Sequence, residues 1–382
     1  MDLYINKNQK KLKCGYTTGT CAAAAATAAA SMLLLEKEYK CIPLITPKGI
    51  EVTIPIDSTE IEESIGIVTC SVIKDSGDDP DITNGIRIFA KVSLGGSQIP
   101  GEERVFITGG IGIGTVTKPG LEQEIGSPAI NKVPRQMIKR AVETVCMQAD
   151  YAGRIMVEIS APEGVEIAKK TFNPRLGIKG GISILGTSGI VEPMSDKALI
   201  DTIETELKVS KAQGKKHLLV SPGNYGMEYI RKDLKINSND IVKCSNYIGE
   251  TIDLAASCSF ESLLFVGNFG KLVKLSGGIM NTHSKVADAR FEIIGVHAAL
   301  CGASKQIIQE IMNCITTEQA LDILVEHEIC EDTMSSILKK IDQVIKNRAG
   351  EELKVGVILF SEKRGFLGKS KLADELIKYH GI

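Results

Sequence analysis

Thr17, Thr18 and Thr20 stand directly ahead of a run that is almost pure alanine, in "GYTTGTCAAAAATAAA". One N-cap hydroxyl satisfies one orphan amide, so a single threonine would serve the helix start. The surplus, with Gly15 and Gly19 freeing the backbone, suits carboxylate or phosphate oxygens arriving at a positive helix end. A second stretch, "KDSGDDPDITNG", puts four aspartates within seven residues, Asp75 to Asp81. A calcium loop needs Gly at its sixth position and Glu at its twelfth. Counting from Asp75, those positions hold Pro80 and Ile86, so that pattern fails. What remains is like-charge crowding, which raises a carboxyl pKa and makes Asp75 or Asp78 usable as a base or acid. A third stretch, Thr108 to Ile138, is rich in glycine and carries Lys118 and Arg135. A guanidinium there suits a forked contact with carboxylate. Together the loops describe a polyanionic ligand.

Two further signals lie downstream. In "LGTSGIVEPMSD", Gly186 and Gly189 bracket Thr187 and Ser188 and let backbone amides approach a ligand. The third glycine of G-x-G-x-x-G and the G-K-[ST] of a Walker loop are both missing. In "PGNYG", "CSNYIG" and "VGNFG", Asn224, Asn246 and Asn268 follow strand-like runs at equal steps of 22 residues. Ligands of open parallel sheets sit beyond the carboxyl ends of the strands, where an amide offers both donor and acceptor. Tight turns between strand and helix account for the same asparagines without a ligand.

These residues need elements to position them, and the chain's rhythm changes once. Up to Phe172, strand-like runs such as "IEVTIPI", "SIGIVTCSVI", "IRIFAKVSL" and "RIMVEIS" alternate with elaborate loops. From Gly177, short apolar runs ("ISIL", "HLLVS", "IVKCS", "LLFVG", "KVGVILF") alternate with helical stretches, which predicts a parallel α/β sheet. "NPRLGIKGG" breaks both patterns. The expectation is an α+β domain over residues 1–175, followed by an α/β Rossmann-like domain with a mostly parallel sheet over 176–382.

Composition narrows the class. The chain has 382 residues, 43% of them hydrophobic, enough for two or three cores at about 150 residues per domain. A net charge of −2, 4% aromatic residues and no Trp argue against nucleic acid and anionic membranes as partners. Small residues precede the bulky "SMLLL", the reverse of a secretory signal, so a cytoplasmic protein is expected. Ten cysteines without a C-x-x-C pair read as reduced thiols, and no protein metal site is expected.

In order along the chain, "GYTTGTCAAAA", "KDSGDDPD", "GGIGIGTVTKPGL", "SPAINKVPR" and "GISILGTSGIVEP" resemble the cobalt-precorrin-5B C-1 methyltransferase family, CbiD. The resemblance runs from about Cys14 to the C-terminus. It implies methylation of C-1 of cobalt-precorrin-5B by S-adenosyl-L-methionine, giving cobalt-precorrin-6A in anaerobic cobalamin synthesis. The cobalt would arrive inside the tetrapyrrole. On this resemblance, Gly186, Thr187, Ser188 and Gly189 bind the donor with Asn224 and Asn246, while Thr17, Thr18, Thr20, Lys118 and Arg135 meet substrate carboxylates. Asp75 and Asp78 lead as base, with His283 of "NTHSK" second. The rivals are a magnesium-dependent phosphate-handling enzyme or small-molecule kinase, and a non-catalytic corrinoid carrier. A homo-oligomer stays open.

Overall fold

Alanine is the best helix former and the thinnest side chain after glycine, so a run of it builds a helix that neighbours can approach on every side. That is the use made of helix α1 (Thr18–Leu35): Ala22–Ala26 and Ala28–Ala30 are all buried. By length and composition it could cross a membrane, yet 72% of it lies inside the protein. It stops at Glu36, whose left-handed backbone lets its own N–H donate to the Met32 carbonyl and the next, Lys37 N–H, to that of Ser31. In this computed structural model, residues 3–7, 9–97, 103–236 and 241–381 are described. They divide into two compact units, residues 1–196 and 197–382.

The first unit packs α1 between helix α2 (Lys132–Gln148) and a five-stranded sheet. The strand order is Ser58–Glu62, Ile67–Ile73, Arg87–Leu94, Ile155–Ser160, Val105–Gly109. All pairings are antiparallel except the last. Alternation supplies the core: Val68, Val92 and Val157 lie side by side across three strands and face inward, as do Cys70, Ala90 and Ile159. The four strand-like runs expected before Phe172 correspond to strands here.

The boundary at 175/176 is corrected. Residues 178–191, including the expected strand "ISIL", pair inside the first unit. Gly181–Ile182 runs parallel to Gly112–Ile113, Ile178–Lys179 antiparallel to Thr115–Val116, and Ile190–Val191 antiparallel to Gly15–Tyr16. A two-residue ladder has almost no sequence signature, and its partners lie in glycine-rich loops where the backbone can approach closely. A Cβ on Gly181 would sit 2.2 Å from the Gly112 carbonyl oxygen.

In the second unit the strand order is Ile241–Lys243, His217–Ser221, Ser262–Asn268, Lys354–Ser361, Gly365–Lys369. Every pairing is parallel except the last. Successive residues serve opposite faces: Leu218 and Val220 join one apolar core, Leu219 the other. The helix after the first strand (Asn224–Lys232) covers one face and the helix after the second (Ile248–Ser257) the other. Helices Arg290–Leu300, Lys305–Met312, Thr317–Glu326 and Cys330–Ala349 lie between the strands Ser262–Asn268 and Lys354–Ser361.

Candidate functional site

Three of the chemistry-bearing motifs meet in the first unit, main chain against main chain. Tyr16 N–H donates to the Asp75 carbonyl at 2.7 Å, and Asp78 N–H to that of Lys13 at 2.9 Å. On its other side the same segment pairs with Ile190–Val191. The "KCGYTTGT", "KDSGDDPD" and "GTSGIV" stretches therefore form one cluster, although up to 176 residues separate Gly15 from Val191 along the chain.

The three threonine hydroxyls have partners within the protein. Thr18 Oγ1 donates to the Leu185 carbonyl (3.1 Å) and accepts from Leu185 N–H (2.9 Å). Thr20 Oγ1 donates to the Gly189 carbonyl at 2.7 Å, and Thr17 Oγ1 accepts from Thr20 N–H at 3.2 Å. Gly19 N–H donates to Leu185 as well. All three threonines are buried. In the structure these hydroxyls fasten the loop Leu185–Gly189 over the start of α1. The glycines of that loop are explained the same way. A Cβ on Gly186 would stand 2.4 Å from Thr17, and one on Gly189 2.8 Å from Thr46. Ser188 Oγ donates to its neighbour Ile190, and Thr187 is exposed.

The aspartates are also claimed by partners. Asp75 pairs with Lys13 at 2.9 Å and accepts from Gly77 N–H at 2.8 Å. Burial opposes its charge, but these contacts outweigh that and hold its carboxyl below the usual range. Asp78 accepts Lys13 N–H at 2.6 Å, and Asp79 accepts Met194 N–H at 2.9 Å. Asp81 pairs at 2.6 Å with Lys74, whose side chain is buried. Asp81 too sits low despite desolvation, through Lys74 and Thr83. The expectation that repulsion lifts an aspartate into the range of a base is overturned for Asp75, because each negative charge has a donor of its own.

Arg135 lies on α2 and turns inward. Its guanidinium donates to the carbonyls of Ile130 (2.9 Å), Ile107 (3.3 Å) and Pro128 (3.4 Å), which makes it a brace for the loop and not a carboxylate fork. Lys118 is half-buried, with Nζ 3.4 Å from the Arg175 carbonyl and its stem over Gly177.

The second unit gathers the asparagines at the carboxyl end of its parallel strands. Asn224 Oδ1 accepts from Lys243 Nζ at 2.7 Å, and Asn246 Oδ1 from Lys271 Nζ at 3.0 Å. Asn268 caps the short helix Phe269–Leu272 by accepting Gly270 N–H at 2.8 Å. His283, in the same unit, is exposed and its Nδ1 accepts Lys285 N–H at 3.0 Å, the behaviour of a local turn cap. Gly186, Thr187, Ser188 and Gly189 belong to the first unit and Asn224 and Asn246 to the second, so the expected donor set is divided between them. Among the described residues, no group of three or more His, Cys, Asp or Glu is placed to hold a metal ion, and the ten cysteines are free thiols.

The CbiD family model matches residues 5–193, and the model of the CbiD C-terminal domain matches residues 281–371. A Ruminiclostridium cellulolyticum protein named cobalt-precorrin-5B C(1)-methyltransferase is 50% identical over 363 residues, 95% of this chain and 92% of that one. The chain belongs to the CbiD family. A protein of the same name from Alkaliphilus metalliredigens is 43% identical over 100% of this chain and 99% of its own. A 1.9 Å crystal structure of a cobalamin biosynthesis protein (cbiD) from Archaeoglobus fulgidus is 32% identical, covers 76% of this chain and 88% of that chain, and has a TM-score of 0.41.

The first CbiD match ends three residues before the limit of the first unit and takes in the whole motif cluster. Sequence reasoning missed Lys13, Lys74 and Lys271. Lys74 directly precedes the acidic run, and the signal was there, since four carboxylates in a folded loop require cations; Lys13 lies 62 positions before Asp75 and reaches it only through the fold. Lys271 follows Asn268 by three residues and carries no such mark.

Proposed function

We propose that this chain is a C-methyltransferase moving the methyl group of S-adenosyl-L-methionine to C-1 of cobalt-precorrin-5B, yielding cobalt-precorrin-6A for adenosylcobalamin synthesis in the cytoplasm. The observation that carries the reading is 50% identity to a protein of that name along 95% of the chain, through both units. C-1 supplies the electron pair for the new carbon–carbon bond. The methyl–sulfur bond breaks with its pair left on sulfur, and S-adenosylhomocysteine leaves. Alignment of nucleophile, methyl and sulfur is the main lever, since proximity can supply roughly 7–11 kcal/mol. The second unit is read as Rossmann-like and takes the donor at the carboxyl edge of its sheet, while the loops around Thr187 and Lys118 in the first unit meet the macrocycle's acidic arms. The phosphate-handling alternative loses its foundation, because the amides at the start of α1 already serve Leu185 and Thr17.

Incubation with cobalt-precorrin-5B and donor carrying a labelled methyl should place one label on each macrocycle. Unlabelled macrocycle in the presence of folded protein would refute the activity. Asp78→Asn separates scaffold from base. The amide oxygen can still accept Lys13 N–H, so the variant should turn over almost normally, whereas loss of a general base removes about 10²–10⁴-fold. A rate falling by that factor would return Asp78 to the chemistry.

A further inference from the structure

The strand order of the second unit, in chain order 2-1-3-4, reverses direction between His217–Ser221 and Ser262–Asn268. In open parallel sheets the crevice beyond the strand ends at such a reversal is where ligands sit. Lys271 occupies that position. Asn268 caps the turn that carries it, and Lys271 Nζ reaches the Pro222 carbonyl (3.4 Å), just past the adjacent strand His217–Ser221, and Asn246 Oδ1 (3.0 Å), beyond the edge strand Ile241–Lys243.

Every atom this ammonium touches is a neutral oxygen, and among the described residues no carboxylate pairs with it. The charged side chains bearing on it are two further lysines, Lys243 and Lys274. Partial burial first, then those cations, pull its pKa below the ordinary lysine value, against the opposing pull of the Cys244 thiol. A half-buried cation without a counter-charge is costly, and an arriving anion relieves the cost. The amides add direction. A lysine can only donate, so the atoms of Asn224 and Asn246 facing Lys243 and Lys271 are oxygens, and their NH2 groups point elsewhere. Neither NH2 finds an acceptor among the described residues. Asn246 Oδ1 also faces Thr282 Oγ1 at 3.4 Å, and Ser245 directly before it holds a left-handed backbone (φ 54°), uncommon for a non-glycine residue. Gly223 leaves room: a Cβ there would meet only Lys271 Nζ, at 3.8 Å.

We propose that Lys271, with the side-chain amides of Asn224 and Asn246, seats the carboxylate of the donor's amino-acid tail. The inference rests on the donor being a sulfonium amino acid nucleoside, as proposed above.

The test uses two thioethers on the full chain, S-adenosylhomocysteine, which has that carboxylate, and 5′-methylthioadenosine, which lacks the amino-acid tail. Lys271→Met should weaken the first by about 10–100-fold, the range of a lost charge-assisted hydrogen bond, and leave the second unchanged. Lys271→Arg, which keeps the charge, should retain most of the affinity for S-adenosylhomocysteine and shows that methionine acts through charge loss. Unchanged affinity for S-adenosylhomocysteine in Lys271→Met would overturn the assignment. So would a parallel fall for both thioethers, or a loss confined to the cobalt tetrapyrrole, which would give the seat to the macrocycle's arms. Unmodified protein that binds neither thioether removes the donor reading itself, and this seat with it. Binding by the unmodified protein combined with any of the contrary variant results removes the seat alone.

Discussion

Lys74→Met should destabilise the first unit by about 3 kcal/mol, the lower end of the range for breaking a buried ion pair by removing one partner. The lower end applies because the Asp81 side chain keeps 25% exposure to water. Lys74 is 2% exposed and binds both Asp81 and Ser76 Oγ. Asp81 in turn holds Thr83 through N–H (2.8 Å) and Oγ1 (2.6 Å), and Asn84 Oδ1 accepts Ser76 N–H at 2.9 Å. The Ser76 and Asp81 parts of the acidic loop are thus folded around one ammonium. Urea unfolding of the variant should show an earlier midpoint, and an unmoved midpoint would dismiss the hub. Lys74→Met with Asp81→Leu should recover much of the loss, because no buried charge is then left unpaired.

Acid gives a second check with a definite sign. Asp75 and Asp81 have carboxyls lowered from the ordinary 3.8 in the folded protein, so their contribution is present above that value and lost as pH falls through the folded pKa. In Lys74→Met, Asp81 keeps its burial and loses its main cation, so protonation relieves it. The stability difference between variant and unmodified protein should therefore narrow as pH drops toward and below 3.8. A difference that widens in acid contradicts the pairing.

How far these arrangements were legible differs from residue to residue. The alanine run announced its helix, and alternating apolar positions announced Ile67–Ile73, Arg87–Leu94 and Ile155–Ser160. Periodicity reports which face is buried, and those faces are buried. The runs "HLLVS", "LLFVG" and "KVGVILF" are strands of one parallel-rich sheet, with Asn224 and Asn246 just past strand ends and Asn268 closing its strand. What sequence could not supply was the identity of long-range partners. Thr18 reads equally well as a ligand contact or as a clasp on Leu185, which lies 167 positions away. Asp75 and Asp81 suggested repulsion because local spacing shows the aspartates together and cannot show that Lys74 folds inward. "ISIL" looked like its neighbours and joined the other unit, since two residues of ladder are too few to specify a register. Lys271 carries no mark of its own in the sequence, and only the reversal in strand order gives its position meaning.

Gly15→Ala should be the most damaging single methyl group in the chain's motif cluster. A Cβ at Gly15 would stand 2.1 Å from the Ser76 carbonyl carbon, 2.4 Å from Ser76 Cα and 2.5 Å from the Asp75 carbonyl oxygen. All three are backbone atoms, so no rotamer change makes room. The segment cannot retreat, because Tyr16 N–H is bonded to Asp75, Cys14 bridges Gly77, and the opposite edge pairs with Ile190 and Val191. Overpacking against fixed backbone belongs to the exceptional class of mutations, at more than about 4 kcal/mol. At about 2–4 °C per kcal/mol for a unit of this size, the melting temperature of the first unit should fall by roughly 8–16 °C. Methyl transfer should disappear with it, because separating Gly15 from Ser76 moves the acidic loop away from the loop held by the threonines. Gly66→Ala is the contrast. Its φ is +62° with nothing within 4 Å of a new Cβ, so it carries only the strain of a left-handed alanine, about 1 kcal/mol. If the two variants melted together, the close approach of these three motifs would not be what the glycine provides. If Gly15→Ala alone collapsed, the cluster is held by contact between main chains, which explains why its loops carry glycine where a ligand site of side chains would not need it.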